Sequence, residues 1–244
     1  MTVEYDIENG VAVITVDRPG RRNAIDNATA ETLGDAWERF NEDDDAVVGV
    51  LTGSEGTFSA GADLKAMDLE DRPEGWLGFT RTRVSKPTIA AIEGHCVAGG
   101  LEMALWCDLR VASEAATFGC FERRFGVPLV DGGTQRLPHV VGLGRALELI
   151  LTGRELAPAT AKDWAHRVVP EGEALDAASE TIAQFPQETV RTDRAAVLDG
   201  LGATLEQGLA TDGTGREHSK PRHPARTALL AAKRGGEGVP DGSK

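Results

Sequence analysis

The chain has 244 residues, 41% hydrophobic and 27% charged, a balance typical of a globular domain large enough to bury most of the surface it would expose unfolded. No run reaches the roughly 18 apolar residues of a membrane helix, and a formal net charge of −13 argues against nucleic acid, whose phosphates need a concentrated basic field. Three cysteines, Cys96, Cys107 and Cys120, stand at unrelated spacings that fit neither a disulfide framework nor a zinc site, so they are expected as small buried thiols.

The N-terminus, MTVEYDIENG, has neither a basic nor an apolar leader region, which predicts no secretory signal and a cytoplasmic location. Val3 to Ile7 and the β-branched run Val11 to Asp17 predict two strands joined across Glu8-Asn9-Gly10, a hairpin of the Asn-Gly kind. The turn that follows places Arg18, Arg21 and Arg22 together, a patch suited to one anionic ligand and equally to solvated turn arginines. Leu33, Trp37 and Phe40 at helical spacing predict an amphipathic helix over Thr29 to Phe40, and the acidic run Glu42 to Asp45 is expected as a solvated loop. Ala46 to Thr52 and Pro87 to Ile92 read as buried strands.

Each of those two strands leads into a small-residue turn and then a helix start: GSEGTFSAGAD before LKAM, and EGHCVAGG before LEMALWC. Repeated strand and helix units predict an α/β fold with ligand chemistry at the turns. Backbone N–H groups at a glycine turn, at the positive end of a helix, are good donors to a negative oxygen. Two converging turns would make an oxyanion hole, although glycines also serve tight strand-to-helix packing. Glu102 stands in the first turn of a helix that is apolar nearly all round, so its carboxylate is expected to be buried, with a raised pKa and a need for a partner.

Farther along, LRVA and ATFG predict short strands, FGVPLVDGG a loop, and the stretch from Thr134 through Ile150 helical segments interrupted at Gly142. Pro158 to Ala165 predicts a short helix, His166 to Val169 an extended segment, and the chain from Glu173 onward mostly helix. His95 and His166 are expected to be structural. Three parts follow: a core over 1–185, a helical portion over 186–234 and a disordered tail over 235–244.

FSAGADLKAM, KPTIAAIEGHCVAGGLEMALWCD, ATFGCFERRFGVPLVDGGTQRLPHVVG and ALELILTGRELAPATAKDWAHRVV together resemble the crotonase, or enoyl-CoA hydratase/isomerase, superfamily over roughly residues 3 to 185. The resemblance implies an α/β spiral of ββα units with a C-terminal helical portion, assembled as a homotrimer or dimer of trimers. It implies an acyl-CoA thioester substrate whose carbonyl is polarised by the N–H groups of Ala62 and Gly99. It places Arg22, Ala24, Ala60, Asp63 and Leu64 along the CoA groove, and makes Glu102 and Glu122 the carboxyl pair that handles a water over the enoyl double bond. No metal or redox cofactor is required, CoA being part of the substrate.

This chain departs from the family pattern in having Phe121 before Glu122 and Arg123-Arg124 after it, so Glu122 is also open to a reading as a surface residue paired with those arginines. Asp131 is a possible third acid by the resemblance, or a cap for the helix beginning near Gly133. Double-bond isomerisation through the same enolate, and acyl-CoA binding without turnover, stand beside hydration as readings. RNA binding, associated with some proteins of this fold, is disfavoured by the acidic balance.

Overall fold

The structure, a computed structural model, describes residues 2–157 and 164–211. The chain divides into two compact units, Met1–Gln187 and Glu188–Lys244. The strands of the first unit are β1 (Val3–Glu8), β2 (Val11–Val16), β3 (Val48–Gly53), β4 (Thr88–Ile92), β5 (His95–Val97), β6 (Leu109–Ser113), β7 (Thr117–Gly119) and β8 (Arg167–Val169). Its helices are α1 (Asn27–Glu42), α2 (Gly99–Trp106), α3 (Gly133–Val141), α4 (Leu143–Thr152) and α5 (Ala174–Ser179); α6 (Gln187–Asp199) begins at the boundary, and α7 (Leu205–Thr211) lies in the second unit.

Six strands form one sheet in the order β1-β2-β3-β4-β6-β8, and β5 and β7 form a second. β1 and β2 pair antiparallel, Val3 opposite Val16, through a two-residue turn with Asn9 and Gly10 both left-handed at φ 51° and 81°, as an Asn-Gly hairpin requires. The other neighbours run parallel. Parallel strands are covered on both faces, and the alternation along each one divides the core. Val48, Val50, Ile89, Ala91 and Val111 face Ala174, Ala177 and Ala178 of α5, whereas Leu51, Ala90, Ile92 and Ala112 face the layer holding α1 and α2.

α1 starts at Asp26, whose Oδ1 accepts from the Thr29 N–H at 3.0 Å, and it rests closely on β3 because Gly49 has no side chain: a Cβ there would lie 2.8 Å from Trp37. Trp37, Phe40, Phe79 and Trp106 form an edge-on cluster with centroids 4.7–5.6 Å apart, joining α1, the 75–82 segment and α2. Two buried cations close helix ends. Lys86 Nζ donates to the Phe40 and Asp43 carbonyls at the end of α1, and Arg110 donates to the Ala104 and Cys107 carbonyls at the end of α2.

Two local expectations are corrected. LKAM does not begin a helix; Leu64 to Ala66 make a single turn in which Asp63 Oδ1 accepts from the Lys65 and Ala66 amides at 3.0 and 3.3 Å, ended by left-handed Met67. The charged stretch that follows it, leading to Pro73, has no apolar stripe to extend a helix. EGHCVAGG is not only a turn, since it contains β5, which pairs with β7 from Cys96 to Phe118. Glu42, expected in a loop, is the last residue of α1. All three cysteines are buried thiols outside any disulfide. Most of the helix expected over Pro158 to Ala165, and the whole 235–244 tail, lie outside the described residues. Among the described residues no helix is long and apolar enough to cross a membrane.

Candidate active site

The segment 60–63 is fastened to 22–25: the Ala60 N–H donates to the Arg22 carbonyl at 3.0 Å, Ile25 N–H to the Gly61 carbonyl at 2.8 Å, and Asp63 N–H to the Ile25 carbonyl at 2.8 Å. Gly61 N–H goes to Ser59 Oγ at 3.0 Å. Because the groups flanking Ala62 bond to Ile25, its own N–H turns to the opposite side. That side is occupied by the start of α2. Ala98 precedes the helix at φ 52° and ψ −127°, a conformation rare for a residue with a Cβ, and it aims Gly99 toward the same place. A Cβ on Gly99 would lie 3.4 Å from Ala62 N, and one on Gly61 only 2.5 Å from Gly99 N. Neither the Ala62 nor the Gly99 N–H donates to an acceptor among the described residues. Gly100 answers a packing need, since a Cβ there would lie 2.3 Å from the Ser59 carbonyl oxygen.

A cavity of about 810 Å³ opens over these two amides. Its walls include Arg22, Ala24, Ala60, Ala62, Asp63, Leu64, Gly99, Glu102, Glu122 and Asp131, so every residue singled out from the sequence for the site meets there. Leu69, Trp76, Leu77, Phe121, Val127 and Pro128 supply apolar wall. These come from loops whose shape no periodicity reports. His95, expected to be structural, also lines the cavity, whereas His166 accepts the Arg110 N–H on Nδ1 at 3.1 Å, away from it.

Glu102 is 3% exposed. Its Oε1 accepts from Asp131 N–H at 3.0 Å and Gly133 N–H at 2.8 Å. Burial pushes the carboxyl up to about 7, helped by the charges of Asp131 and Glu122 and opposed by the two amide bonds. Glu122, 7% exposed on a 3-10 turn over Phe121–Phe125, is also raised by burial, against its own amide and the Arg123 charge. Both Glu122 oxygens lack a hydrogen-bond partner among the described residues.

The alternative reading, Glu122 paired with the adjacent arginines, is not what forms. The 3-10 turn sends Arg123 Nε to the Ile150 carbonyl at 3.2 Å and Arg124 Nη2 to the Gly153 carbonyl at 3.0 Å, with the Arg124 guanidinium 3.6 Å above the Phe121 ring. Asp131 does not cap α3, which Gly132 caps at φ 94°. Its Oδ1 instead accepts from the Leu77 N–H at 3.3 Å and from the Thr80 hydroxyl. Of the basic patch, Arg18 is taken up by Asp26 and Asp63, at 2.5 and 3.2 Å, while Arg21, Arg22 and Lys65 stand on the cavity rim. Asp63 is held below its usual carboxyl range, against burial, by the Lys65 and Ala66 amides and the Arg18 and Arg21 charges. Among the described residues no cluster of side chains could hold a metal ion.

A pair of unspent amides beside two buried carboxyl groups offers donors for an oxygen that gathers charge and acids able to exchange protons next to it. Residues 6–219 match the family model described as enoyl-CoA hydratase/isomerase, and the chain belongs to that family. It is 37% identical over 221 residues to a probable enoyl-CoA hydratase of Rhizobium meliloti, covering 85% of each chain. It is 36% identical over 210 residues to a probable mitochondrial enoyl-CoA hydratase of Dictyostelium discoideum, covering 82% of this chain and 76% of the other. The crystal structure of enoyl-CoA hydratase EchA1 from Mycobacterium marinum superposes with a TM-score of 0.88 at 32% identity, over 96% of both chains. The fold is thus the α/β crotonase fold.

Proposed function

We infer that the chain is an enoyl-CoA hydratase, adding water across the C2–C3 double bond of a 2-enoyl-CoA thioester to give the 3-hydroxyacyl-CoA. As the water oxygen bonds to C3, negative charge moves to the thioester oxygen. The Ala62 and Gly99 N–H groups donate to that oxygen more strongly in the enolate-like state than in the substrate, which lowers the barrier. Water is a poor nucleophile until a base takes its proton, and C2 needs a proton in return. Glu102, whose Oε1 is charge-stabilised by two amides, is the base; Glu122, buried and without a partner, is the acid. Two carboxyls in one apolar site hold one proton between them, so the pair contains both a base and an acid.

The observation that carries this reading is the buried Glu122 carboxyl, without a hydrogen-bond partner among the described residues, on the same cavity as Glu102 and the two amides. The groove along Arg22, Ala24, Ala60, Asp63 and Leu64 takes the CoA portion. The chemistry calls for no metal or redox cofactor. By the same family resemblance the protein is assigned to a homotrimer or dimer of trimers. Hydration of crotonyl-CoA and longer 2-enoyl-CoA substrates, with wild type, Glu102→Gln and Glu122→Gln, tests the reading. Each substitution is expected to lower kcat by about 10²–10⁴-fold. Hydration unaffected by both removes the mechanism; CoA binding without turnover leaves a binding protein, and a moved double bond without hydration leaves an isomerase.

A further inference from the structure

Among the described residues Glu102 Oε1 is held by amides of the 131–133 turn, so whatever fixes that turn fixes the base. Arg136, one helical turn into α3, folds back over it: Nη1 donates to the Asp131 carbonyl at 2.8 Å and Nη2 to the Thr80 carbonyl. The guanidinium passes so close to the turn that a Cβ on Gly132 would lie 2.3 Å from Nη1. The Thr80 hydroxyl and the Leu77 N–H close the other half of the tie on Asp131 Oδ1. Leu77 in turn abuts the oxyanion side, its Cδ1 lying 3.1 Å from where a Gly99 Cβ would stand.

We propose that Arg136 and Thr80 are positioning residues for the reaction: together they clamp the 131–133 turn to the 75–80 loop and so set the place of the Glu102 carboxylate relative to the two amides. A planar guanidinium reaches two carbonyls in a fixed fork, which a lysine ammonium does not reproduce. Neither residue touches the reacting atoms. The inference rests on Glu102 acting as the base, but the tie itself is a statement about the folded protein.

The charged and titratable groups that act on Glu102 are Glu122 and Cys120 from the β7 end and its 3-10 turn, and Asp131 and Arg136 from the α3 side. The Glu102 carboxyl is followed by 13C NMR titration of glutamate-labelled protein, assigned with Glu102→Gln, in wild type, Arg136→Met, Arg136→Lys and Thr80→Val. Loosening the turn weakens the amide bonds that favour the charged form, so the Glu102 titration is expected to move upward by about one pH unit in Arg136→Met. Thr80→Val moves it the same way by less, and Arg136→Lys does not restore it. In steady state kcat falls by between about 10- and 100-fold with KM nearly unchanged, and the acid limb of kcat moves with the titration. Should Arg136→Met fail to fold, Thr80→Val and Arg136→Lys carry the test. An unshifted Glu102 titration in the folded variants overturns the proposal. Absence of hydration by wild type overturns instead the role given to Glu102, and the titration still reads the tie.

Discussion

A carboxyl group buried at 3% exposure is easier to keep protonated than charged, and Glu102 shows what that means for the protein as a folded object. Its folded pKa of about 7 lies above the ordinary 4.5, so the folded state holds this proton more tightly than the unfolded chain does. The resulting contribution to stability is fully present below pH 4.5 and is lost as pH rises through about 7. Glutamine has no charge to desolvate and keeps an Oε1 acceptor for the Asp131 and Gly133 amides. Glu102→Gln is therefore expected to be more stable than wild type near pH 8, by up to about 3 kcal/mol, while losing hydration. The gap closes toward pH 4.5, where both side chains are neutral. Urea unfolding at several pH values measures it, and a gain independent of pH would contradict the assignment. Under the proposed mechanism stability is exchanged for a base poised near neutral pH.

At the scale of elements, the site depends on how closely the 60–63 segment meets the first turn of α2. Gly61 stands at φ 84°, and a Cβ on it would lie 2.5 Å from Gly99 N and 3.1 Å from Ala98 Cβ. Gly61→Ala is thus expected to push one amide out of line and lower kcat/KM for 2-enoyl-CoA by about 10²–10³-fold, the usual effect of losing one such donor. Calorimetry with CoA reads the groove separately, and a variant with full turnover would mean the amides are not the polarising pair. These two glycine turns were legible in the sequence because a small-residue run stands out against the β-branched strands before it. The hairpin and α1 were legible for another reason, a period carried by six or more residues. β5 was hidden because three residues carry no period, and the Leu64 turn because one apolar turn mimics a helix start. Ala98 was invisible as the residue that aims Gly99, since local rules reserve φ 52° for glycine. The fate of Glu122 was misleading in sequence: neighbours along the chain are not neighbours in a 3-10 turn, which carries Arg123 and Arg124 toward carbonyls at the end of α4.

At the scale of the whole molecule, an acidic chain is asked to hold a polyanion. The net charge of −13 repels CoA at a distance, and in the proposed groove attraction comes from the cations that line the cavity among the described residues, Arg21, Arg22, Lys65 and Arg124. Arg18, which the sequence offered with them, spends its charge on Asp26 and Asp63 and so shapes the groove wall instead. Beyond a Debye length of about 8 Å at physiological salt the distant acids are screened, and the rim governs binding. Removing two rim cations with Arg22→Ala and Lys65→Ala is expected to raise KM for crotonyl-CoA by about 10-fold, roughly 1.4 kcal/mol, with kcat retained. The same double variant leaves KM unchanged for a neutral crotonyl thioester of N-acetylcysteamine, which meets the amides and carboxyls but carries no phosphate. Ionic strength separates the two fields further. In wild type KM for crotonyl-CoA rises with added salt as rim attraction is screened, whereas in the double variant, with fewer rim cations, the rise is smaller. Equal salt responses in the two proteins would mean that the phosphates are held elsewhere on the surface.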